Sequence, residues 1–357
     1  MEIKKKHLVV DCRMINKSGI GTYLKNILPG IILSEKYNIT CMGYDELKTF
    51  YWIDKVKLIS LKSPILSLSE QFELALKIPK CDIFWSPNWN IPLLPIRAKK
   101  RVVTIHDVYH LANFKLFSSV KIRIVRLYMS FIKKKYKSII TVSEFSKNEI
   151  IKFTNIQKEN IVVTYLGVEE KYSDDILLPK IEEDYILFVG NVKPHKNLKL
   201  SLEAFSLIQD KNIKFYIVGQ KDGFKTNDNS LNENIIKLKD RVFFTGYVSD
   251  DELKNYYKNA KLFLFPSLYE GFGLPILEAM RFNLPIIASK SASIPEVAEN
   301  HVIYFNALSI NDLVDKLNGY LKGELKCQIL EYENQLKKFN WKYTISKHLD
   351  IFNSINY

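Results

Sequence analysis

Short apolar runs recur along this chain, separated by longer stretches with a helical apolar period, and the alternation begins again at Tyr185. A strand buried on both faces reads as a continuous apolar run, and parallel strands need long crossovers between them, usually helices. The pattern therefore predicts two consecutive series of parallel βαβ units, an α/β chain. In the first series the strand candidates are 8–11, 39–42, 83–86, 101–105, 138–142 and 161–164, with helices at 21–33, 67–77, 120–135 and 143–154. In the second, strands at 185–189, 214–218, 242–245, 262–266 and 285–288 alternate with helices at 198–208, 232–238, 250–259 and 275–281. Further helices are read at 310–319 and 327–338, and residues 169–184, acidic and polar, read as a linker. The closing amphipathic segment 341–355 suits packing back on the first half.

At 357 residues the chain is long enough for two cores, and the expected division is 1–168 with 341–357 as one domain and 169–340 as the other. Two doubly wound sheets facing each other would form a cleft, because such sheets bind ligands beyond the carboxyl ends of their strands. A composition 47% hydrophobic and 25% charged excludes disorder, collagen and coiled coil. Four dispersed cysteines without a paired spacing argue against a disulfide framework or a zinc site and suit a reducing cytoplasm. The apolar run after the basic N-terminal residues is too short for a signal peptide, and no stretch reaches the roughly 20 apolar residues of a membrane span.

The net charge of +13 is unevenly spread: residues 1–168 carry +15 and the remainder −2. Such an excess fits nucleic acid, an anionic membrane or a phosphorylated substrate, or simply a lysine-rich surface.

Four segments carry candidate chemistry. Ser18-Gly19-Ile20-Gly21-Thr22-Tyr23 follows the first strand and opens a helix, so its backbone could approach an anion, although it also reads as a turn. It lacks the third glycine of the dinucleotide fingerprint. The strand at 101–105 ends at His106-Asp107, either functional groups at a strand end or a surface histidine and a capping aspartate. Asn191 to Asn197 contains Lys193, His195 and Lys196 before a helix, a phosphate-binding arrangement or a solvated loop. The most informative is Tyr269-Glu270-Gly271-Phe272-Gly273-Leu274-Pro275-Ile276-Leu277-Glu278, a glycine-rich turn with Pro in the first helical turn. A loop carboxylate and a helix carboxylate there could hold sugar and ribose hydroxyls, leaving amides for phosphate; they could also be dipole partners.

Glu270 and Glu278 with Glu-Gly-Phe-Gly-Leu-Pro between them resemble the signature of retaining GT-B glycosyltransferases of family 4. The chain is similar to the bacterial mannosyltransferase-like branch of O-antigen and capsule assembly. Matching segments run in order: Asp11-Cys12-Arg13 through Tyr23, Ile105-His106-Asp107, Thr141 to Lys147, Pro194-His195-Lys196-Asn197 and Ser293-Ile294-Pro295-Glu296-Val297. The resemblance implies two Rossmann-like domains, the first for the acceptor and the second for a nucleotide-sugar donor, with no metal and no further cofactor. It implies catalytic roles for His106, Glu270 and Lys196. Donor contacts would come from Gly19, Gly21, Asn191, Val248, Phe272, Gly273, Leu274 and Glu278, and acceptor contacts from Tyr23 and Asp107. Within these, Glu278 would take the ribose, Glu270 the hexose and Lys196 the diphosphate. Asn191 and His195 depart from the pattern, since relatives often carry Arg there, which leaves the diphosphate clamp to Lys196 with Lys193 in reserve.

Preorganised cations and amides can stabilise a leaving diphosphate without a metal, and the sequence has no Asp-x-Asp motif. The donor implied first is GDP-mannose, with dTDP- and UDP-sugars as alternatives, and the acceptor a lipid-linked saccharide on the cytoplasmic side of a membrane. A nucleic-acid binder would leave the glutamate pair unexplained, and no recognition motif is present. A non-catalytic subunit of the same fold is disfavoured by Glu270, Glu278 and Lys196. The basic segment 120–137 reads either as a helix lying on anionic lipid or as a core helix with a wet basic end.

Overall fold

The computed structural model describes residues 5–168, 178, 181–219 and 237–354. The segments read as a linker at 169–184 and as a helix at 232–238 lie largely outside them. The chain divides into two compact units, residues 1–167 with 341–357, and residues 168–340.

In the first unit, seven strands form one sheet: β1 (Lys6–Asp11), β2 (Tyr37–Gly43), β3 (Lys57–Ser60), β4 (Cys81–Ser86), β5 (Ala98–Thr104), β6 (Ser138–Thr141) and β7 (Ile161–Val163). Their order is β3-β2-β1-β4-β5-β6-β7, and every pairing is parallel. The second unit holds β8 (Tyr185–Val189), β9 (Lys214–Val218), β10 (Val242–Gly246), β11 (Leu262–Phe265), β12 (Ile286–Ser289) and β13 (Ile303–Phe305). Here the order is β10-β9-β8-β11-β12-β13, again all parallel. In each sheet the chain winds first to one side of the opening strand and then to the other, so that strand is central. The loops leaving β1 and β8 therefore sit at a switch point between strands that depart in opposite directions.

The central strands are buried on both faces, which is why they read as unbroken apolar runs: Leu8, Val9 and Val10 are fully buried, as are Ile186 and Leu187. Helix starts carry local signals. Ser143 accepts the Ser146 amide, and Ser249 and Glu252 form a reciprocal capping box. Asn155 closes Glu144–Thr154 in the left-handed region at φ 54°.

Helix Trp341–Asn353 belongs to the first unit. Its Ile345 lies against Gly30 of helix Ser18–Leu33 so closely that a Cβ at Gly30 would clash. Thr344 Oγ1 donates to the Tyr165 carbonyl at 2.7 Å, and Tyr37 Oη donates to Asn353 Oδ1 at 2.6 Å.

Several elements differ from the reading of the sequence. Strands β3 and β13 were not anticipated: each is an edge strand of three or four residues, β3 with no fully buried side chain and β13 with one. Short helices Tyr109–Ala112 and Ile294–Ala298 were likewise missed, being too brief for a period to register. The helix expected over 327–338 is a 3₁₀ turn, Ile329–Glu331, followed by the shorter Tyr332–Lys337. Helix Ser119–Lys135 has the buried face that the core-helix alternative requires and a basic C-terminal end. It buries Ile122, Val125, Tyr128, Met129 and Ile132 while Val120, Ile124 and Leu127 stay exposed. Among the described residues no helix is long and apolar enough to cross a membrane.

Candidate active site

In the second unit the loops after β8 and β11 leave the sheet side by side, because those strands are hydrogen-bonded neighbours. The first loop carries Lys196 at the end of the 3₁₀ turn Pro194–Lys196, and the second carries Glu270. Lys196 Nζ donates to Glu270 Oε1 at 2.6 Å, with both side chains about one-seventh exposed. The Leu268 amide donates to the His195 carbonyl at 2.7 Å, tying the two loops together below that pair. Asn197, left-handed at φ 56°, ends the turn, and its Nδ2 donates to the Ala307 carbonyl at 2.8 Å.

The turn after Glu270 depends on Gly273, whose φ of 105° a side chain would strain, at the start of helix Leu274–Arg281. Pro275 occupies the first helical turn, where no amide partner is lost. Ser293, which sequence reading noted only as part of a matching segment, holds this turn. Its Oγ lies 3.0 Å from the Glu270 carbonyl and 2.7 Å from the Phe272 carbonyl, so one hydroxyl proton serves both acceptors. Glu278 sits one turn into the helix, half-buried, and Oε2 accepts from Tyr257 Oη at 2.8 Å. Tyr257 is a further residue the sequence did not flag, since it lies 21 positions away on helix Asp250–Asn259.

Where β8 and β9 end, backbones touch. A Cβ on Gly219 would lie 2.3 Å from the Gly190 carbonyl oxygen. Gly190 donates to the Val218 carbonyl and Gly219 to that of Gly246, so three strand ends meet as bare backbone beside Lys196. Asn191 is half-buried there, Val248 is half-buried in the turn after β10, and Lys193 is exposed.

The first unit gathers its candidates around His106, just beyond β5. His106 Nε2 lies 3.0 Å from the Pro87 carbonyl, which can only accept, so Nε2 carries the proton and Nδ1 offers a lone pair. Burial lowers the His106 pKa to about 4, against the pull of that carbonyl bond, and the ring is neutral at physiological pH. Ser146 Oγ donates to the His106 carbonyl at 2.9 Å.

Tyr23 requires a correction. Expected to meet an acceptor, it is fully buried, and its hydroxyl lies 2.6 Å from His348 Nε2 and 3.0 Å from Thr104 Oγ1. Its ring instead stands edge-on to His106 at 4.9 Å. Tyr23 therefore supports His106 and presents no polar atom to a ligand. His348, from the last helix, was missed because nothing near it in sequence marks it.

Asp107 Oδ1 accepts the Tyr109 amide at 2.9 Å, the capping alternative, on a half-buried side chain. The two glycines of the first loop separate. A Cβ on Gly21 would collide with the Ile15 carbonyl, so the chain itself uses that space, whereas the space around Gly19 is open. Asp11, Arg13 and Glu70 form a buried charge cluster beneath this loop: Arg13 Nε and Nη2 donate to the two Asp11 carboxylate oxygens and Nη1 to Glu70. Desolvation opposes the Arg13 charge, but the two carboxylates outweigh it and raise its pKa, so the cation is secure. No group of three or more His, Cys, Asp or Glu among the described residues is arranged to hold a metal.

Two doubly wound parallel sheets, with the candidate loops at the carboxyl ends of their strands, define the class: a GT-B glycosyltransferase architecture. Solved structures agree on the fold. Anabaena HepE in complex with UDP-glucose is 16% identical with a TM-score of 0.76, covering 98% of this chain and 100% of that one. WaaG, a glycosyltransferase involved in lipopolysaccharide biosynthesis, is 15% identical with a TM-score of 0.74, covering 97% and 99%. The family model for Glycosyl transferases group 1 matches residues 169–355, and that for Glycosyltransferase Family 4 matches residues 39–172. The O-antigen chain mannosyltransferase RfbU of Salmonella typhimurium is 32% identical, with 84% of this chain and 86% of that protein aligned. The O-antigen chain mannosyltransferase B of Escherichia coli is 27% identical over 78% of this chain and 76% of its own length. The chain belongs to the group 1 glycosyl transferases and is a sugar-transferring enzyme.

Proposed function

We propose that this enzyme transfers mannose, from GDP-mannose, to a lipid-linked saccharide during assembly of a bacterial surface polysaccharide, working at the cytoplasmic face of a membrane. The Lys196–Glu270 pair carries the reading: a cation for a diphosphate touches a carboxylate suited to hexose hydroxyls. The names of the aligned relatives, O-antigen mannosyltransferases, support the sugar and the polymer.

In this reading Lys196 and the amides of Phe272, Gly273 and Leu274 neutralise the diphosphate, with Asn191 bordering it. Glu278, oriented by Tyr257, takes the ribose hydroxyls, and Val248 meets the base through its backbone. Glu270 orders the hexose. Neutral His106 offers Nδ1 as the acceptor for a sugar hydroxyl, and Asp107 serves the acceptor saccharide.

The anomeric carbon–phosphate oxygen bond breaks and the acceptor oxygen bonds from the same face. The departing diphosphate takes the acceptor proton, so the configuration is retained. No covalent glycosyl-enzyme is needed, and Glu270, held by Lys196, serves for positioning. Charge stabilisation by Lys196 and the amides makes a metal unnecessary to this step.

Thermal shifts with GDP, UDP and dTDP followed by transfer assays with the matching mannosyl, glucosyl and rhamnosyl donors test the reading. Selective stabilisation by GDP and turnover of GDP-mannose are expected. Preference for UDP or dTDP with turnover of their sugars would replace the mannose assignment.

A further inference from the structure

Two neighbouring helices on one face of the first sheet present apolar side chains outward. The chain passes from β3 to β4 and from β5 to β6 in the same direction across the sheet order, so right-handed crossovers put helices Leu68–Lys77 and Ser119–Lys135 on the same face. Gln71 Nε2 donates to Tyr128 Oη at 3.0 Å, which fixes them side by side. On the first helix Glu70, Gln71 and Leu74 point inward, and Leu68, Phe72 and Leu76 are 84%, 64% and 84% exposed. Their four-residue spacing forms one outward stripe. The second helix repeats the arrangement with Val120, Ile124 and Leu127, 40% to 62% exposed. Six large apolar residues on two adjacent helices form a patch, unlike the scattered exposed side chains of an ordinary surface.

Charge identifies the occupant. Helix Ser119–Lys135 contains Lys121, Arg123, Arg126, Lys133, Lys134 and Lys135, all exposed, and no acidic residue. On its neighbour, Glu70 is buried against Arg13 and Glu73 is held by Lys77 and the amides of Lys62 and Ser63. A second copy of the chain would bring cation against cation across the same patch. An anionic bilayer supplies what both features need: an acyl boundary for the stripes and negative headgroups for the cations.

We propose that the outward faces of helices Leu68–Lys77 and Ser119–Lys135 are a bilayer-docking surface, with Leu68, Phe72 and Leu76 as its apolar insertion stripe. The proposal deepens the lipid-linked acceptor reading and rests on it for the purpose of docking, but its test uses neither donor nor acceptor, so either can fail alone.

The full chain is co-sedimented with vesicles of phosphatidylglycerol in phosphatidylcholine, and with phosphatidylcholine alone, at low and high salt. Binding to the anionic vesicles that weakens with salt is expected. Substituting Leu68→Gln, Phe72→Gln and Leu76→Gln together should lower the partition constant about tenfold or more. Arg123→Gln with Arg126→Gln should remove most of the preference for anionic vesicles. All five side chains are exposed, and circular dichroism and an unchanged melting temperature would verify the fold. Absence of wild-type binding, or equal binding by the Leu68/Phe72/Leu76 variant, would overturn the proposal. So would a concentration-dependent dimer abolished by the same substitutions, which would give the face to a second copy.

Discussion

Lys196 Nζ and Glu270 Oε1, 74 residues apart in sequence, meet at 2.6 Å across the adjoining ends of β8 and β11. The pair is largely shielded from water, so its attraction is strong and its loss leaves an uncompensated charge. In the functional reading, donor binding gives Lys196 a diphosphate and Glu270 a set of hydroxyls in addition to each other.

Lys196→Ala and Glu270→Ala should each lower kcat by about 10²–10³, the range for removing one preorganised stabilising group. The double variant should lose far less than the product of the two, because each single change also strands its partner. Single-turnover rates with the fold checked by circular dichroism measure this; near-wild-type turnover in either single variant contradicts the assigned roles.

Tyr257→Phe removes only the hydroxyl that donates to Glu278 Oε2. Expected is an increase in donor KM of about fivefold, near the 1 kcal/mol of one hydrogen bond, with kcat nearly unchanged. A drop in kcat at constant KM would place Glu278 in the chemistry instead of in ribose binding.

Gly219→Ala would set a Cβ 2.3 Å from the Gly190 carbonyl at a φ of 147°. Backbone must shift on both strands, at a cost of about 1–3 kcal/mol, and donor affinity should fall with it. Melting temperature and nucleotide titration report the two effects; wild-type values in both would exclude a tight backbone junction.

Two histidines make stability fall in mild acid. Burial lowers both His106 and His348 to about 4, from an ordinary value near 6.5. Between those values the unfolded chain binds protons that the folded chain refuses, so stability is full above about pH 6.5 and declines as pH drops toward 4. Glu70, raised by burial, acts in the opposite sense near its own range. Melting temperatures should therefore fall from pH 6.5 to 5, and His348→Gln should flatten that slope. An unchanged slope in the variant would mean that His348 is not held neutral.

The local part of the site was legible because it is short. Glu270, Gly273, Pro275 and Glu278 fall within nine positions, so strand end, turn and helix start are written consecutively. His106 was visible for a similar reason, ending an apolar strand. The edge strands β3 and β13 were not, since three or four half-exposed residues carry no period. Tyr23 misled because its place in a matching motif says nothing about the direction of its side chain, which packing decides.

By itself, the sequence determined two series of parallel strands and a charged, glycine-rich turn, because burial on both faces and helix-start geometry act over a few residues. Only the tertiary structure decided which loops meet. Placing β8 between β9 and β11 brings Lys196 to Glu270, and folding the last helix onto Ser18–Leu33 brings His348 to Tyr23 across 325 positions. It also decided that Leu68, Phe72 and Leu76 face outward, because the inward side of their helix is taken by Glu70, Gln71 and Leu74. Those outcomes depend on strand order and packing between distant segments, which no local period encodes.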